Sequence, residues 1–326
     1  MDRFWRVRDR VITLHRPVLM GVVNTTPDSF SDGGLYSTID AAIAHGLALA
    51  AAGADIVDVG GESTRPGADP VDADTEAARV LPVVRHLADQ GLAVSVDTMK
   101  PEVAGAALEA GAVIVNDVSG LGSPEMRAVV AEAGAGAIVM HMQGSPRTMQ
   151  DDPYYEDVVG EIQEFLAARV RLAIADAIPE ECLAVDPGIG FGKTLEHNLT
   201  ILDRLSAFGE LGRPLVLGSS RKRFLGSITG HETPADRDFA SAVAAAVGVV
   251  RGADVIRVHD VASAREAALV AWAIVRESGV RWDPVVGISS EEPYPTAGLR
   301  RGSRRAAVRR EEPRKRDRPG PRGGPG

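Results

Sequence analysis

Eight apolar, β-branched runs recur along this chain, and each stops at a polar or charged residue before a helix-like segment begins. The runs are VLMGVVN to Asn24, DIVDVGGES out to Glu62, AVSVD to Asp97, VIVND to Asn116 and Asp117, AIVMHM around His141, CLAVDP at Asp186, LVLGSS at Ser220, and VIRVH at Arg257 and His259. Continuous apolar strands divided by helices of crossover length are the pattern of buried parallel strands. Eight such units in roughly 250 residues specify a closed (β/α)8 TIM barrel, an α/β fold whose chemistry sits where strands run out into the following loops. The polar stops therefore converge on one pocket.

The helices carry their own signals. Ser37 and Thr38 are cap candidates for a helix from Thr38 to Ala52 that ends at Gly53, while Pro101 opens the helix after the third strand and Gly111 closes it. The longest runs from Asp157 to Ile178, with Val158, Ile162, Phe165, Leu166, Val170, Leu172 and Ile174 as its apolar face, before Pro179 stops it. Residues 235–251 and 262–276 supply the last two.

A chain of 326 residues fits a single barrel domain, here residues 1–282. The charged start MDRFWRVRDR lacks the apolar core of a signal peptide, and no apolar stretch is long enough to span a bilayer, so a cytoplasmic location is expected. The single cysteine, Cys182, falls inside an apolar strand and reads as a buried structural thiol. Residues 283–326 differ in kind, being rich in Pro, Gly and Arg. From Arg300 onward they carry 11 of the 36 basic and 3 of the 45 acidic residues, a charge of +8, leaving 25 basic against 42 acidic, or −17, for the rest. Such a composition predicts a disordered basic tail. It lacks aromatics for stacking on bases, and no nucleic-acid partner is expected.

The loops are the specific part. NTTPDSFSDGG (Asn24 to Gly34) follows the first strand and GGESTRPGA (Gly60 to Ala68) the second. With VDT (Val96 to Thr98), VNDVSG (Val115 to Gly120), HMQG (His141 to Gly144), DPGIGFGKT (Asp186 to Thr194), SRKRFLG (Ser220 to Gly226) and IRVHDV (Ile256 to Val261), they resemble dihydropteroate synthase, in order and at every barrel corner, from about residue 12 to residue 275.

That resemblance implies a transferase that joins p-aminobenzoate to 6-hydroxymethyl-7,8-dihydropterin pyrophosphate in folate synthesis, releasing pyrophosphate, and that is a target of sulfonamides. It implies Asp97, Asn116, Asp186 and Lys222 as pterin readers, with Val118, Met140 and Phe191 as apolar walls. A buried pterin edge needs such carboxylate and amide partners. It assigns Phe30, Thr64, Arg65, Pro66 and Ser220 to p-aminobenzoate, and Asn24, Arg257 and His259 to pyrophosphate, with Asn24 on a Mg²⁺ ion. Asp32 and Asn116 would hold a pterin methylene cation, and Asp32, Asn116, Lys222, Arg257 and His259 form the catalytic set. A homodimer is implied by the resemblance alone.

Several residues have plainer readings. Asp97 stands close enough to Pro101 to cap a helix. Asp117 neighbours Asn116, so period 2 turns it to the opposite face and suggests a loop tether; Asp55 and Asp58 also read as structural. Arg221 and Arg223 read as helix or surface charges. Two rival functions stay open. VDPGIGFGKT looks like a nucleotide phosphate loop, but Pro187 stands where that loop needs glycine. A pterin-binding relative without synthase chemistry, such as a folate methyltransferase, would share the barrel pocket, but the paired loops NTTPDSFSDGG and ESTRPG favour the synthase.

Overall fold

The computed structural model describes residues 3–26, 35–64, 67–277, 287–288 and 324. Contacts divide the chain into a unit from Met1 to Ser289 and another from Ser290 to Gly326, past the expected boundary at residue 282. The tail expected to be disordered lies, apart from residues 287–288 and 324, outside the described residues.

Two short strands come first, β1 (Phe4–Val7) and β2 (Arg10–Thr13), and then the eight that build the barrel. These are β3 (Val18–Asn24), β4 (Ile56–Gly60), β5 (Ala93–Asp97), β6 (Ile114–Asp117), β7 (Gly136–Met140), β8 (Leu183–Asp186), β9 (Val216–Leu217) and β10 (Val255–Val258). Their order around the sheet is β8-β7-β6-β5-β4-β3-β10-β9, all parallel. The ring closes beside β9, where the Val185 amide donates to Pro214 O at 2.9 Å and Val185 bridges Leu215 in parallel. The (β/α)8 barrel expected from the eight runs is therefore present.

Side chains alternate along each barrel strand. Leu19, Val57, Val94, Val115, Val139 and Val185 join the outer core shared with the helices. Met20, Ile56, Ile114, Ile138, Ala184 and Val255 belong to a separate inner cluster. That inner cluster also contains Trp5, Val7, Ile12 and Leu14. The β1–β2 hairpin thus plugs the end at which the barrel strands begin. Trp5 and Ile12 are fully buried, a gain on the order of 2–3 kcal/mol each, and Trp5 Nε1 donates to Cys182 O at 2.8 Å. The last strand described, β11 (Gly287–Ile288), pairs with β2. The opposite end, where strands finish, is left to the loops.

The helices are α1 (Leu35–Ala51), α2 (Ala73–Asp89), α3 (Pro101–Glu109), α4 (Pro124–Ala133), α5 (Val158–Ala175), α6 (Leu195–Asp203), α7 (Arg223–Thr229), α8 (Asp238–Val250) and α9 (Val261–Glu277). Side-chain caps fall where short polar residues precede the turn: Asp72 accepts from Thr75 N at 2.8 Å and Ser123 from Met126 N at 2.9 Å. α1 starts at Leu35, three residues before the start expected at Thr38, so Ser37 and Thr38 lie inside its first turn. On α5, Leu172 and Ile174 are exposed although both were expected on the apolar face. Ala173 takes the buried position seven residues after Leu166, and its neighbours are turned about 100° to either side. No helix among the described residues is long and apolar enough to cross a membrane.

Candidate active site

Strand register sets the polar stops side by side. Asn24 is opposite Gly60, Gly60 opposite Asp97, Asp97 opposite Asn116, and Met140 opposite Asp186. The inward phase that carries Ile56, Ile114, Ala184 and Val255 also carries Asp58, Asn116, Asp186 and Arg257, each two residues further along. The upper half of the barrel interior is accordingly charged.

Arg257 organises that interior. Its Nε donates to Asp58 Oδ2 and its Nη2 to Asp97 Oδ2, both at 2.6 Å, and Asn116 Nδ2 also donates to Asp58 Oδ2 at 3.2 Å. Burial works against the guanidinium charge, but Asp58 and Asp97 more than offset it and keep Arg257 protonated. Burial pushes the Asp97 carboxyl up, against the pull of Arg257. Asp97 does not cap α3, whose N-cap residue is Lys100, without a side-chain cap bond. Among the described residues, Asp58 Oδ1 and Ser95 Oγ are buried without a hydrogen-bond partner. A buried polar atom left without any partner costs about 1–3 kcal/mol.

Two lysines complete the charge balance. Lys222 Nζ lies 3.9 Å from the Phe191 ring centroid, and its pKa is pushed down to about 8 by burial and by Arg257. Lys193 is buried and donates to Phe191 O at 2.9 Å and to His141 Nδ1 at 3.0 Å. Burial brings its pKa down to about 7, and burial with the nearby Lys193 charge brings His141 down to about 3, so His141 is the neutral acceptor. Asp186 is raised by burial and steadied by the Gly188 amide at 2.7 Å. Gly188 has φ +70, and a Cβ there would meet His141 O at 1.9 Å, so only glycine lets the loop after β8 pass this closely and deliver Phe191. Val118, Met140 and Phe191 pack into one apolar cluster with Met149, with Met99 and Met142 against it.

The loop after β9 is held from outside. Arg221 takes φ +59, a left-handed conformation that is uphill for a residue with a Cβ. Its guanidinium grips Asp238 at 2.7 and 2.8 Å, its amide donates to Ser241 Oγ at 2.9 Å, and its carbonyl accepts from Arg237 at 3.0 Å. Arg221 is therefore a tether that orients its neighbours Ser220 and Lys222, and not the surface charge expected. Ser220 Oγ lies 3.0 Å from His259 Nδ1 and accepts from the His259 amide at 3.2 Å. That pairing sets Ser220, expected at the p-aminobenzoate subsite, directly beside a residue expected at the pyrophosphate subsite. Arg257, expected at pyrophosphate, is held across the interior by two carboxylates.

Asn24 ends β3, half-buried, and Thr64 is half-buried on the loop after β4. Phe30, Asp32, Arg65 and Pro66 lie outside the described residues. Asp117 is the tether expected, accepting from Ser119 N at 2.7 Å and Leu121 N at 3.1 Å, and Asp55 holds Arg16 through two bonds of 2.8 Å. Asp58 was misplaced by the sequence reading. It belongs to the site, and the parity that set Asp117 aside would have found it, since Val57 and Val59 face outwards. Lys193 and His141 were also missed as a pair. Among the described residues no group of three or more His, Cys, Asp or Glu side chains could hold a metal. Asn24 offers one neutral oxygen, which fits an ion whose other ligands come with an anionic substrate and water.

Residues 20–259 match the family described as pterin binding enzyme. The dihydropteroate synthase of Neisseria meningitidis serogroup C is 45% identical over 272 residues, 82% of this chain and 96% of that one. A structure of Xanthomonas albilineans dihydropteroate synthase with 4-aminobenzoic acid has 45% identity and TM-score 0.80, covering 85% of this chain and 99% of that one. Another from the same organism, in complex with 7,8-dihydropteroate, has 43% identity and TM-score 0.76, covering 84% and 98%. With this barrel, this ring of strand-end acids and relatives this similar over most of its length, the chain belongs to the pterin binding enzymes, and within them to the dihydropteroate synthases.

Proposed function

We propose that the protein condenses 6-hydroxymethyl-7,8-dihydropterin pyrophosphate with p-aminobenzoate, forming 7,8-dihydropteroate and pyrophosphate for folate synthesis. The observation that carries this reading is the inward set of Asp97, Asn116 and Asp186, closed by Lys222 over Phe191. A pterin offers ring N–H and amino donors on one edge, acceptors beside them and a flat apolar face. Carboxylates and an amide in a pocket walled by Val118, Met140 and Phe191 answer each of these. Lys222 lies over an aromatic face and is drawn by Asp186 and Asp97, as a cation set against ring acceptors should be.

In this scheme the bond from the pterin methylene to oxygen breaks first, and its electron pair leaves with pyrophosphate. The aniline nitrogen then attacks the methylene cation, forms the new C–N bond and loses a proton. Asn24 would hold a magnesium ion brought with the pyrophosphate substrate, and that ion would lower the charge on the departing oxygens. His259, with its ring held by Ser220, and Arg257, tied to Asp97, would bind the departing pyrophosphate and stabilise its developing charge. Asp32 and Asn116 would hold the cation, and Phe30, Thr64, Arg65, Pro66 and Ser220 the second substrate. No side-chain nucleophile enters the scheme.

A homodimer in the cytoplasm goes with this reading. Phe239, Val243, Val247 and Val250 stand exposed at helical spacing on α8, and Val270 and Ile274 on α9, an apolar face suited to a second copy. The deciding assay incubates the pure protein with pterin pyrophosphate, Mg²⁺ and p-aminobenzoate and follows dihydropteroate and pyrophosphate together. Equimolar release of both is expected, and pyrophosphate without dihydropteroate overturns the synthase reading.

A further inference from the structure

A second charged cluster lies outside these roles. Lys100 Nζ bonds both Glu62 Oε2 and Glu76 Oε2. Lys100 stands three residues beyond Asp97, and its amide donates to Thr98 Oγ1 at 3.1 Å. Glu76 lies on α2, fully buried, with one carboxylate oxygen unpartnered. Glu62 begins the loop after β4, and its other oxygen accepts from the Val71 amide at 3.2 Å, near that loop's far end. The loop's root is pressed onto α2. A Cβ at Gly61 would lie 2.9 Å from Glu76 Cγ, and Arg79 Nη1 donates to Gly61 O at 2.9 Å.

A buried carboxylate is strongly unfavourable unless a cation meets it, so burying Glu76 draws Lys100 inward. The same ammonium then fixes Glu62, which ties both ends of its loop. We propose that Lys100 is a positioning residue for the second substrate: through Glu62 it seats Thr64, two residues further on, without touching the pterin readers. This rests on Thr64 belonging to the p-aminobenzoate subsite. It also links the two subsites mechanically, because Lys100 continues the strand end that carries Asp97.

Steady-state kinetics on the full chain, varying each substrate in turn, test it. Lys100→Met raises KM for p-aminobenzoate on the order of tenfold, leaves KM for pterin pyrophosphate within about twofold, and Lys100→Arg recovers most of the loss. Lys100→Met leaves Glu76 buried without its cation; should that variant not fold, Lys100→Met/Glu76→Gln removes the stranded charge and still frees Glu62. A folded variant with unchanged KM for p-aminobenzoate, or with both KM values raised equally, overturns the proposal. If the wild-type chain makes no dihydropteroate, the functional reading has failed and the positioning role is read separately, by amide hydrogen exchange. Faster exchange of the Val71 amide in the variant than in the wild type, with β5 and β6 unchanged, supports it, and equal exchange overturns it.

Discussion

Replacing Arg257 by methionine isolates the charge network beneath the pocket. The guanidinium spans Asp58 and Asp97 at 2.6 Å each, and Asp58 is fully buried with one oxygen already unpaired. After substitution Asp58 keeps only the Asn116 bond, and Asp97 loses its cation. Breaking one buried pair costs about 3–5 kcal/mol because the partner charge is stranded, which for a domain of this size lowers the melting temperature by roughly 10 °C. The loss should depend on pH. Asp97 is already raised by burial, and it rises further without Arg257. A carboxyl whose folded pKa lies above its unfolded value contributes stability below the unfolded pKa and loses it as pH rises through the folded one. Arg257→Met is therefore least stable at pH 8 and regains about 1.4 kcal/mol per pH unit on acidification toward pH 6, a range still above the sequence pI of about 5.4. Urea denaturation of both proteins at the two pH values measures this. A deficit below about 1 kcal/mol, or one independent of pH, refutes the reasoning, since it would mean that water already compensates the two acids.

Lys222 has its pKa pushed down to about 8, so if its charged form reads the pterin, kcat/KM falls as pH rises past that value, and Lys222→Arg, which cannot lose its proton, removes this alkaline limb without restoring full activity; an unchanged limb in the arginine variant excludes Lys222 as its source. Asp186→Ala and Lys222→Ala each abolish dihydropteroate formation with melting temperatures close to the parent, and near-parental kcat/KM in either withdraws that residue from the pterin site. Deleting residues 300–326 leaves turnover unchanged, and lost activity in the truncated chain would show that the basic tail reaches the site. p-Aminobenzoate and sulfonamides bind weakly to the free protein and tightly once a pterin analogue and Mg²⁺-pyrophosphate are present, and equal calorimetric affinity in both states excludes ordered assembly.

Periodicity made the barrel legible, because eight buried parallel strands must each present an apolar run, and the loops between them must leave the polar residues at the ends. Asp97, Asn116 and Asp186 were found for that reason. Asp58 was not, because it sits two residues before its strand ends, enclosed by Val57 and Val59, and composition alone cannot separate an inward acid from a structural one. The β1–β2 hairpin was hidden differently. Its strands are four residues long and carry Arg6 and Arg10, with Arg3 and Arg8 beside them, so the alternation of Trp5 and Val7 with charge read as a polar start. Arg221 escaped because a positive φ leaves no mark on composition when the residue is not glycine.

The scarcity of lysine held more information than its sequence positions disclosed. The chain has four, against 32 arginines among its 36 basic residues, and the three described ones all make buried or half-buried contacts: Lys100 with Glu62 and Glu76, Lys193 with His141 and Phe191, Lys222 with the Phe191 ring. A surface that needs only charge is served by arginine, which burial cannot discharge. A compact ammonium does what a guanidinium cannot, filling a small site beside one or two acceptors and shifting its pKa toward neutrality when water is excluded. Lys193 and Lys222 have moved that way, to about 7 and about 8, while the twofold carboxylate grip moves Lys100 upward. Position for position, then, the rare cation marks where the fold brings a buried or half-buried ammonium against specific partners. The three inward acids Asp58, Asp97 and Asp186 are matched by Arg257, Lys222 and Lys193, so the pocket can hold many charges yet stay near neutral and accept an electrically mixed substrate without unfolding around it.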